Sequence, residues 1–391
     1  MRILWLVKDV PADIGSAGRM RDYRLMKFMR KHTKYEIICV ATSADYGQNS
    51  MKALGIESYY KQNVNSVLDE VYDKYKEFDI IIVSRWYLAE HIYGKLLEKE
   101  KDFSKIIIDT VDIEWFRNDR QIEFSPAKNG FDNSILHERK KREIDAYRKF
   151  KNFIFVTVED EREFRKQISS SNIKTSIVSM PVHDTGKREL PDTQNVYFIG
   201  NFLHHPNIYA AIRSAEIFQK VHVKLPDAKL YIVGKHPPKE VQQLHNDKYI
   251  LVTGPQYKLD HFLRNMTVNI SPVYYGAGIN GKVVEAMGCG IPTVTTPIGV
   301  EGIDTLSSFR SDSPRIPLED GKHCFVCEDD DEMADSVIDL LTKKELRDSM
   351  SEAGRDLIMR YLRYDQVGSI LMFFLQMIYD NPLKQNEGRL I

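Results

Sequence analysis

The strongest constraint on the fold is a long series of uninterrupted apolar runs, rich in Ile and Val, that alternate with helical segments. Each run lacks the apolar–polar alternation of a half-exposed strand, which predicts a parallel sheet covered on both faces. Six runs occupy residues 2–7, 35–42, 78–85, 105–111, 152–158 and 175–181. Six more occupy 195–200, 229–234, 249–254, 267–273, 291–296 and 323–328. The sequence therefore predicts an α/β protein with two doubly wound sheets.

Length and loop composition predict two domains. A chain of 391 residues exceeds what one core usually holds, and the polar segment 183–194 carries the Gly and Pro of a linker. We predict Rossmann-like domains over 1–182 and 183–363. Within 364–391 we predict a final helix that packs back on the N-terminal domain. The two domains are expected to face each other across a cleft, lined by the loops at the carboxyl ends of the strands.

Composition excludes several classes of protein. The apolar share of 42% and charged share of 28% are typical of a soluble globular chain. A net charge of −1 argues against nucleic acid as a partner. No apolar stretch reaches the roughly 18 residues of a membrane-spanning helix, and the N-terminal run indicates a first strand rather than a signal peptide. The four cysteines show no disulfide framework, which favours the cytoplasm.

The residues best suited to chemistry lie in Pro272–Gly302, which holds seven glycines in 31 residues. Three of these glycines precede a predicted helix over 282–288, so the backbone can approach a ligand closely there. A helix N-terminus attracts anions, and Lys282 and Glu285 share one face of this helix. A glycine loop, a cation and a carboxylate suit a phosphorylated ligand that carries hydroxyls, which we interpret as a nucleotide sugar.

Over almost its whole length the chain resembles the retaining nucleotide-sugar glycosyltransferases of family 4. The resemblance rests on GAGINGKVVEAMGCGIPTVTTPIGVEG within the glycine-rich stretch, with TSIVSMPVHD and FIGNFLHHPN in support. It implies the GT-B fold, with two Rossmann-like domains, an N-terminal acceptor domain and a C-terminal donor domain. It also implies a glycosyltransferase of bacterial surface polysaccharide or glycoconjugate synthesis, cytoplasmic or peripheral on the inner face of the membrane.

The resemblance assigns donor-site roles in the second domain. Glu285 corresponds to the second carboxylate of the family's E-x7-E motif and would accept hydrogen bonds from the ribose hydroxyls. Ala277 occupies the position of the first carboxylate, and Asn201 stands where an Arg is usual. Lys282 is the first candidate to neutralise the diphosphate, and Lys235 the second. Further donor-site contacts are expected from the loop Gly276, Ala277, Gly278 and Ile279, and from His204 and His205 if protonated.

In the first domain, Gly15-Ser16-Ala17-Gly18-Arg19 matches the family's first glycine loop. Gly15 and Gly18 are expected to approach the donor, and Arg19 to contact its β-phosphate or an anionic acceptor. Relatives often carry a His after the fourth strand, where this chain offers Asp109, Asp112 and Glu114. We predict that Asp112 acts on the acceptor hydroxyl as base or orienter. Arg85 is another candidate of the same region.

The expected reaction moves a sugar to a hydroxyl of a glycan or lipid-linked acceptor, with retention of anomeric configuration. We expect no cofactor and no metal. Two basic stretches, 19–34 and 139–151, suggest peripheral contact with an anionic membrane.

Two alternatives remain open. Ala277 and the missing early Arg and Lys favour a transferase-like partner subunit that has lost catalysis. A nucleotide-sugar 2-epimerase on the same fold is the other.

Overall fold

The structure is a computed structural model that describes residues 1–43, 47–61, 63–124, 133–186, 188–256, 259–303 and 317–380. The chain forms two compact units. The first unit comprises the described residues of Met1–Asp119, Ala127–Pro181 and Tyr364–Ile391. The second unit comprises those of Arg120–Pro126 and Val182–Arg363.

The first unit is built on a parallel sheet of seven strands in the order β3-β2-β1-β4-β5-β6-β7. The order reverses between β1 and β4, as in a doubly wound fold. The strands are β1 Arg2–Asp9, β2 Glu36–Ser43, β3 Glu57–Tyr60, β4 Ile80–Ser84, β5 Ile106–Asp109, β6 Asn152–Phe155 and β7 Lys174–Ile177. The helices are α1 Ala17–His32, α2 Gly47–Ala53, α3 Val64–Tyr75, α4 Trp86–Lys99, α5 Glu114–Phe124, α6 Asn133–Tyr147, α7 Val158–Gln167 and α14 Tyr364–Tyr379. Helix α5 crosses the boundary between the units, because its residues from Arg120 onward belong to the second unit.

The second unit contains a parallel sheet of six strands in the order β10-β9-β8-β11-β12-β13. Its reversal lies between β8 and β11. The strands are β8 Asn195–Ile199, β9 Lys229–Val233, β10 Ile250–Gly254, β11 Val268–Ser271, β12 Thr293–Thr295 and β13 Phe325–Val326. The helices are α8 His205–Lys224, α9 Lys239–Gln242, α10 Leu259–Leu263, α11 Gly281–Gly288, α12 Asp330–Thr342 and α13 Lys344–Tyr361.

These two sheets confirm the predicted fold class. Each of the twelve apolar runs contains a strand, and the central strands β4 and β5 are buried along their whole length. One strand was missed: β3 has the sequence ESYY and adds a seventh strand to the first sheet. It lies at the sheet edge, where its residues are half-buried or exposed, so it needs no continuous apolar run.

Helix α14 belongs to the first unit and packs on α1. A Cβ at Gly368 would lie 2.3 Å from the ring of Phe28, so the two helices meet closely where the glycine stands. The predicted segment 364–391 continues beyond α14, and residues 381–391 lie outside the described residues.

All four arginines of the basic stretch 19–34 bind protein groups. Arg21 pairs with Asp109 at 2.6 Å, and Arg24 pairs with Asp13 at 2.8 Å. Arg19 and Arg30 donate to backbone carbonyls. The side chains of this stretch that could contact an anionic lipid surface are therefore chiefly its lysines. Among the described residues, no helix is both long and apolar enough to cross a membrane.

Candidate functional site

In the second unit the strand order marks one edge of the sheet as the place for a ligand. Strands β8 and β11 are neighbours and parallel, and the chain order reverses between them. Ligands of open parallel sheets bind at the carboxyl ends of the strands next to such a reversal. β8 ends at Ile199 and leads into Gly200 and Asn201, whereas β11 ends at Ser271 and leads into the glycine-rich loop. Most of the predicted donor-site residues therefore lie on these two neighbouring loops.

The loops after β8 and β9 touch through their backbones. A Cβ at Gly234 would lie 1.8 Å from the carbonyl oxygen of Gly200, so only glycine fits there. Phe202 N–H donates to the carbonyl of Lys235 at 3.1 Å, which joins the same loops again. The Asn201 side-chain oxygen accepts from Leu203 N–H at 3.2 Å and shapes its own turn. The half-buried Lys235 is thus held beside the β8 loop, as the second of the predicted cations.

The glycine loop leads directly into α11. Gly278 has a left-handed φ of 71°, a conformation that most side chains avoid. Asn280 holds the N-cap position without capping the helix through its side chain. Its amide instead donates to Ile298 O at 3.2 Å and accepts from Lys282 Nζ at 3.3 Å. The N-terminal turn of α11 thus keeps backbone N–H groups that can receive an anion.

Lys282 is the cation of this site. Its ammonium contacts the Asn280 amide and lies 5.9 Å from the centre of the Phe198 ring. Burial lowers the pKa of Lys282 to about 8, since taking an ammonium out of water disfavours its charged form. Glu285 follows one turn later on α11 and is half-buried. A half-buried lysine with a lowered pKa at a helix start, next to a glycine loop, suits a phosphate better than it suits solvent.

Other polar groups complete this edge of the second sheet. His205, in the first turn of α8, shares a hydrogen bond of 2.6 Å between its Nδ1 and the Tyr275 hydroxyl. Tyr275 directly precedes the glycine loop, so His205 helps to orient that loop. His204 is the N-cap of α8 and makes no side-chain cap. Among the described residues, no group of three or more His, Cys, Asp or Glu is placed to hold a metal ion.

The sequence analysis did not identify two residues of this site. Arg120, at the end of α5, donates from Nη1 and Nη2 to both carboxylate oxygens of Glu301, each at 2.6 Å. Its Nη1 also donates to the carbonyl of Gly276 at 3.0 Å. The two residues are 181 positions apart in the chain, and neither lies in a motif that points to the other.

The first unit has its own candidate site at the carboxyl ends of β1, β4 and β5. Gly15 has a positive φ of 122° in the loop after β1. A Cβ at Gly18 would lie 3.1 Å from Val111 and 3.5 Å from the Arg85 guanidinium. Arg85 and Val111 have positive φ values of 79° and 63°. Such strain in non-glycine residues persists where the surrounding structure imposes it, often at functional sites.

Asp112 lies between two arginines of this first-unit site. Its Oδ1 accepts from Arg85 at 3.0 Å, and its Oδ2 accepts from Arg117. With both oxygens on guanidinium groups, Asp112 is better suited to orient a neighbouring group than to remove a proton. Glu114 follows and lies 3.8 Å from Arg117. Asp109, by contrast, is fully buried and pairs with Arg21.

Arg19 has a partner other than the predicted phosphate. The residue is 8% exposed, and its Nε donates to the Val10 carbonyl at 2.7 Å. This contact fixes the loop after β1, so the geometry favours a structural role. The cations that contact Asp112 are Arg85 and Arg117, of which sequence analysis singled out only Arg85.

An open depression lies at the opposite, amino-terminal edge of the first sheet, with a volume of about 330 Å³. It is lined by charged groups that pair with one another, such as Arg2 with Glu36 at 2.7 Å. It shares no residue with the two strand-end sites.

Comparison with known proteins agrees with this geometry. Residues 193–343 match the family model of glycosyl transferases group 1, and this segment includes β8 to β12, the glycine loop and α11. This match covers 151 of the 391 residues. A search of curated proteins finds no match.

Solved glycosyltransferase structures share the fold over nearly the whole chain. HepE of Anabaena, in complex with UDP and glucose, is 11% identical, with a TM-score of 0.70 over 96% of this chain and 99% of its own. Sucrose-phosphate synthase of Thermosynechococcus elongatus is 13% identical, with a TM-score of 0.71 over 97% and 99%. TarM of S. aureus, as a mutant in complex with fondaparinux, α-GlcNAc-glycerol and UDP, is 12% identical, with a TM-score of 0.63 over 96% and 99%. At these identities the neighbours show the fold that this chain shares with them, and the family match over residues 193–343 indicates a glycosyltransferase.

Proposed function

We propose that this protein transfers a sugar from a nucleoside-diphosphate sugar to a hydroxyl acceptor, with retention of the anomeric configuration. The observation that carries the proposal is the glycine loop and the start of α11, with half-buried Lys282 and Glu285, beside the reversal point of the second sheet. A diphosphate needs donors and a cation, and a ribose needs a hydrogen-bond acceptor. This loop and helix offer all three.

The roles follow from the chemistry of each group. The backbone of Gly276, Ala277, Gly278 and Ile279 and the ammonium of Lys282 would bind the diphosphate and stabilise the charge that develops as it leaves. Glu285 would accept from the ribose hydroxyls. Lys235 and Asn201 would border the donor on the β8 and β9 side.

The first unit would position the acceptor, with Gly15 in its loop after β1 and Gly18 and Arg19 in the first turn of α1. We infer that the leaving diphosphate assists in removing the acceptor proton, in a front-face displacement with an oxocarbenium-like transition state. Asp112, held by two arginines, would then orient the acceptor hydroxyl. We propose that the reaction needs neither a metal nor another cofactor. An unchanged rate in the presence of EDTA would support this, and loss of transfer that Mg²⁺ restores would contradict it.

The substrate classes belong to the same proposal. The complexes of HepE and TarM contain UDP, so UDP-sugars are the first donors to test. We propose a glycan or lipid-linked acceptor in bacterial surface polysaccharide or glycoconjugate synthesis. Contact of the first unit with anionic lipid also stays a prediction. It would depend chiefly on the lysines of α1, because the arginines of this helix have protein partners. Equal sedimentation with anionic and neutral vesicles would contradict it.

The test of the proposed function is product analysis with UDP-glucose, UDP-GlcNAc and GDP-mannose, each with and without a mixture of glycan and lipid-linked acceptors. Acceptor-dependent release of the nucleoside diphosphate, with a new α-linkage from an α-linked donor, supports retaining transfer. A changed donor in the absence of acceptor would instead indicate an epimerase. Nucleotide binding without turnover would indicate the impaired partner subunit, which Ala277 makes the second candidate.

A further inference from the structure

The glycine loop is fixed in place by hydrogen bonds from a neighbouring segment. The loop Gly276–Asn280 follows β11, and the segment Thr296–Glu301 follows the adjacent strand β12. Thr296 Oγ1 donates to the carbonyl of Val273, and Asn280 Nδ2 donates to that of Ile298 at 3.2 Å. These bonds hold the region just before the loop and its end.

Arg120 and Glu301 hold the beginning of the loop. One Arg120 guanidinium donates to both Glu301 oxygens at 2.6 Å and to the Gly276 carbonyl at 3.0 Å. The two side chains are only 19% and 23% exposed. A bidentate arginine–carboxylate pair fixes orientation as well as distance, so the third donor bond aims the Gly276 carbonyl in one direction.

Gly276 has no side chain that could hold the loop at this point. A Cβ there would meet nothing within 4 Å, so the residue is open on that side, whereas the preceding Tyr275 is held through its hydroxyl by His205. Gly276 and Gly278 also gain more conformational freedom than other residues when a restraint is lost. Removal of the Arg120 bonds therefore takes away the hydrogen bond to the Gly276 backbone, which the bonds from Thr296 and Asn280 do not replace.

We propose that Arg120 and Glu301 are positioning residues of the donor site. Their ion pair holds Gly276–Asn280 in the conformation that presents its backbone N–H groups to a nucleoside diphosphate. The inference rests on the proposed function, and it adds residues that lie outside the glycine-rich motif or at its far end. Glu301 balances the charge of Arg120, so the pair acts through geometry while Lys282 supplies the positive charge.

The test measures nucleotide affinity at a temperature where every variant is folded. The probe is the one among UDP, GDP, ADP and dTDP that stabilises the wild type most. We expect Arg120→Ala to weaken its binding by about tenfold, since a loop displaced by an ångström loses aligned donors. Arg120→Lys should fail to restore affinity, because one ammonium cannot provide the planar bidentate pair and the bond to Gly276 together.

A double-mutant cycle separates this role from general stability. Arg120→Ala combined with Glu301→Ala should bind about as weakly as either single variant, since the two act as one unit. The matched control is Arg142→Ala, which removes another bidentate pair, with Glu90, in the first unit. It should leave nucleotide affinity unchanged.

Two results would overturn the proposal in distinguishable ways. Wild-type affinity in Arg120→Ala, with the wild type itself binding nucleotide, would refute the positioning role and leave the proposed function intact. Absence of binding by the wild type to all four nucleotides would refute the proposed function, and the positioning role with it.

Discussion

At the scale of single residues, the charge of Lys282 is the feature most sensitive to solution conditions. Burial lowers its pKa to about 8, so the free protein loses this positive charge as the pH rises through 8. A bound diphosphate favours the charged form and would raise that pKa. Nucleotide affinity is therefore expected to fall as the pH rises above about 8, by at most tenfold per pH unit.

Calorimetric titration in buffers of different ionisation enthalpy measures this proton uptake directly. The wild type should take up protons on binding nucleotide at pH 8.5, and Lys282→Arg should take up none, because arginine stays charged. Equal proton uptake by the two proteins would mean that another group titrates.

A second prediction at the scale of single residues concerns Asp22 and the stability of the folded protein rather than ligand binding. Burial, together with the nearby Asp109, raises the pKa of Asp22 from 3.8 to about 7. Among the described residues its Oδ1 has no hydrogen-bond partner. Between pH 4 and pH 7 the folded protein keeps a proton that the unfolded chain has lost, so the free energy of unfolding falls as the pH rises through this window. The loss is at most about 1.4 kcal/mol per pH unit.

Asp22→Asn should remove this dependence, since the amide stays neutral at every pH. Urea unfolding at pH 5 and pH 7.5 measures it, with the exposed Asp227→Asn as the control. A variant whose stability falls between these pH values as steeply as that of the wild type would contradict the assignment.

Asp112 provides the third prediction. As an orienting group in the first unit it should leave nucleotide binding unchanged, whereas its loss should slow transfer. We expect Asp112→Ala to lower kcat by about 100-fold, the size of a lost positioning contact, with nucleotide Kd within error of the wild type. A parallel loss of nucleotide affinity would instead place Asp112 at the donor.

At the scale of helices and strands, close packing can be tested where α14 meets α1. Gly368→Ala would place a methyl group 2.3 Å from the ring of Phe28, which is 3% exposed. We expect it to lower the free energy of unfolding by about 1–3 kcal/mol, because the ring has little room to move. Gly94→Ala is the matched control: it lies in α4 with nothing within 4 Å, and alanine should stabilise that helix by up to about 1 kcal/mol.

Urea unfolding of the wild type and the two alanine variants measures these changes in the free energy of unfolding. Equal stability changes at both glycines would show that α14 is not packed against Phe28.

The strands could be predicted because both of their faces are buried. Continuous apolar runs indicate β4 and β5, whereas β3 has two polar and two aromatic residues and lies at an edge.

The side-chain partners were harder to predict, because they depend on residues far apart in the chain. Nothing in the sequence near Asp112 indicates that Arg85, 27 positions away, binds it. The sequence identified the glycine loop, Lys282 and Glu285 from local chemistry, but not the bonds from Arg120 that hold the loop. Arg19 shows the converse: its place in a glycine loop suggested a ligand, whereas folding gives it the carbonyl of Val10.

At the scale of the whole molecule, the fold is shared with proteins that have kept little of its sequence. HepE and sucrose-phosphate synthase match nearly the entire chain at 11% and 13% identity. The family model, by contrast, matches only residues 193–343, within the second unit. Burial patterns of parallel strands are enough to specify such a fold with many different sequences, whereas the donor loop, in the role proposed for it, would need glycines and a lysine at fixed positions.

The central claim is that the second unit binds a nucleoside diphosphate through the glycine loop and α11. Thermal unfolding of the wild type and Glu285→Ala, each with UDP, GDP, ADP and dTDP, tests it most directly. We predict that one nucleotide raises the melting temperature of the wild type and leaves that of Glu285→Ala unchanged, although both proteins unfold cooperatively without ligand. Equal stabilisation of the two proteins by the same nucleotide would contradict the account.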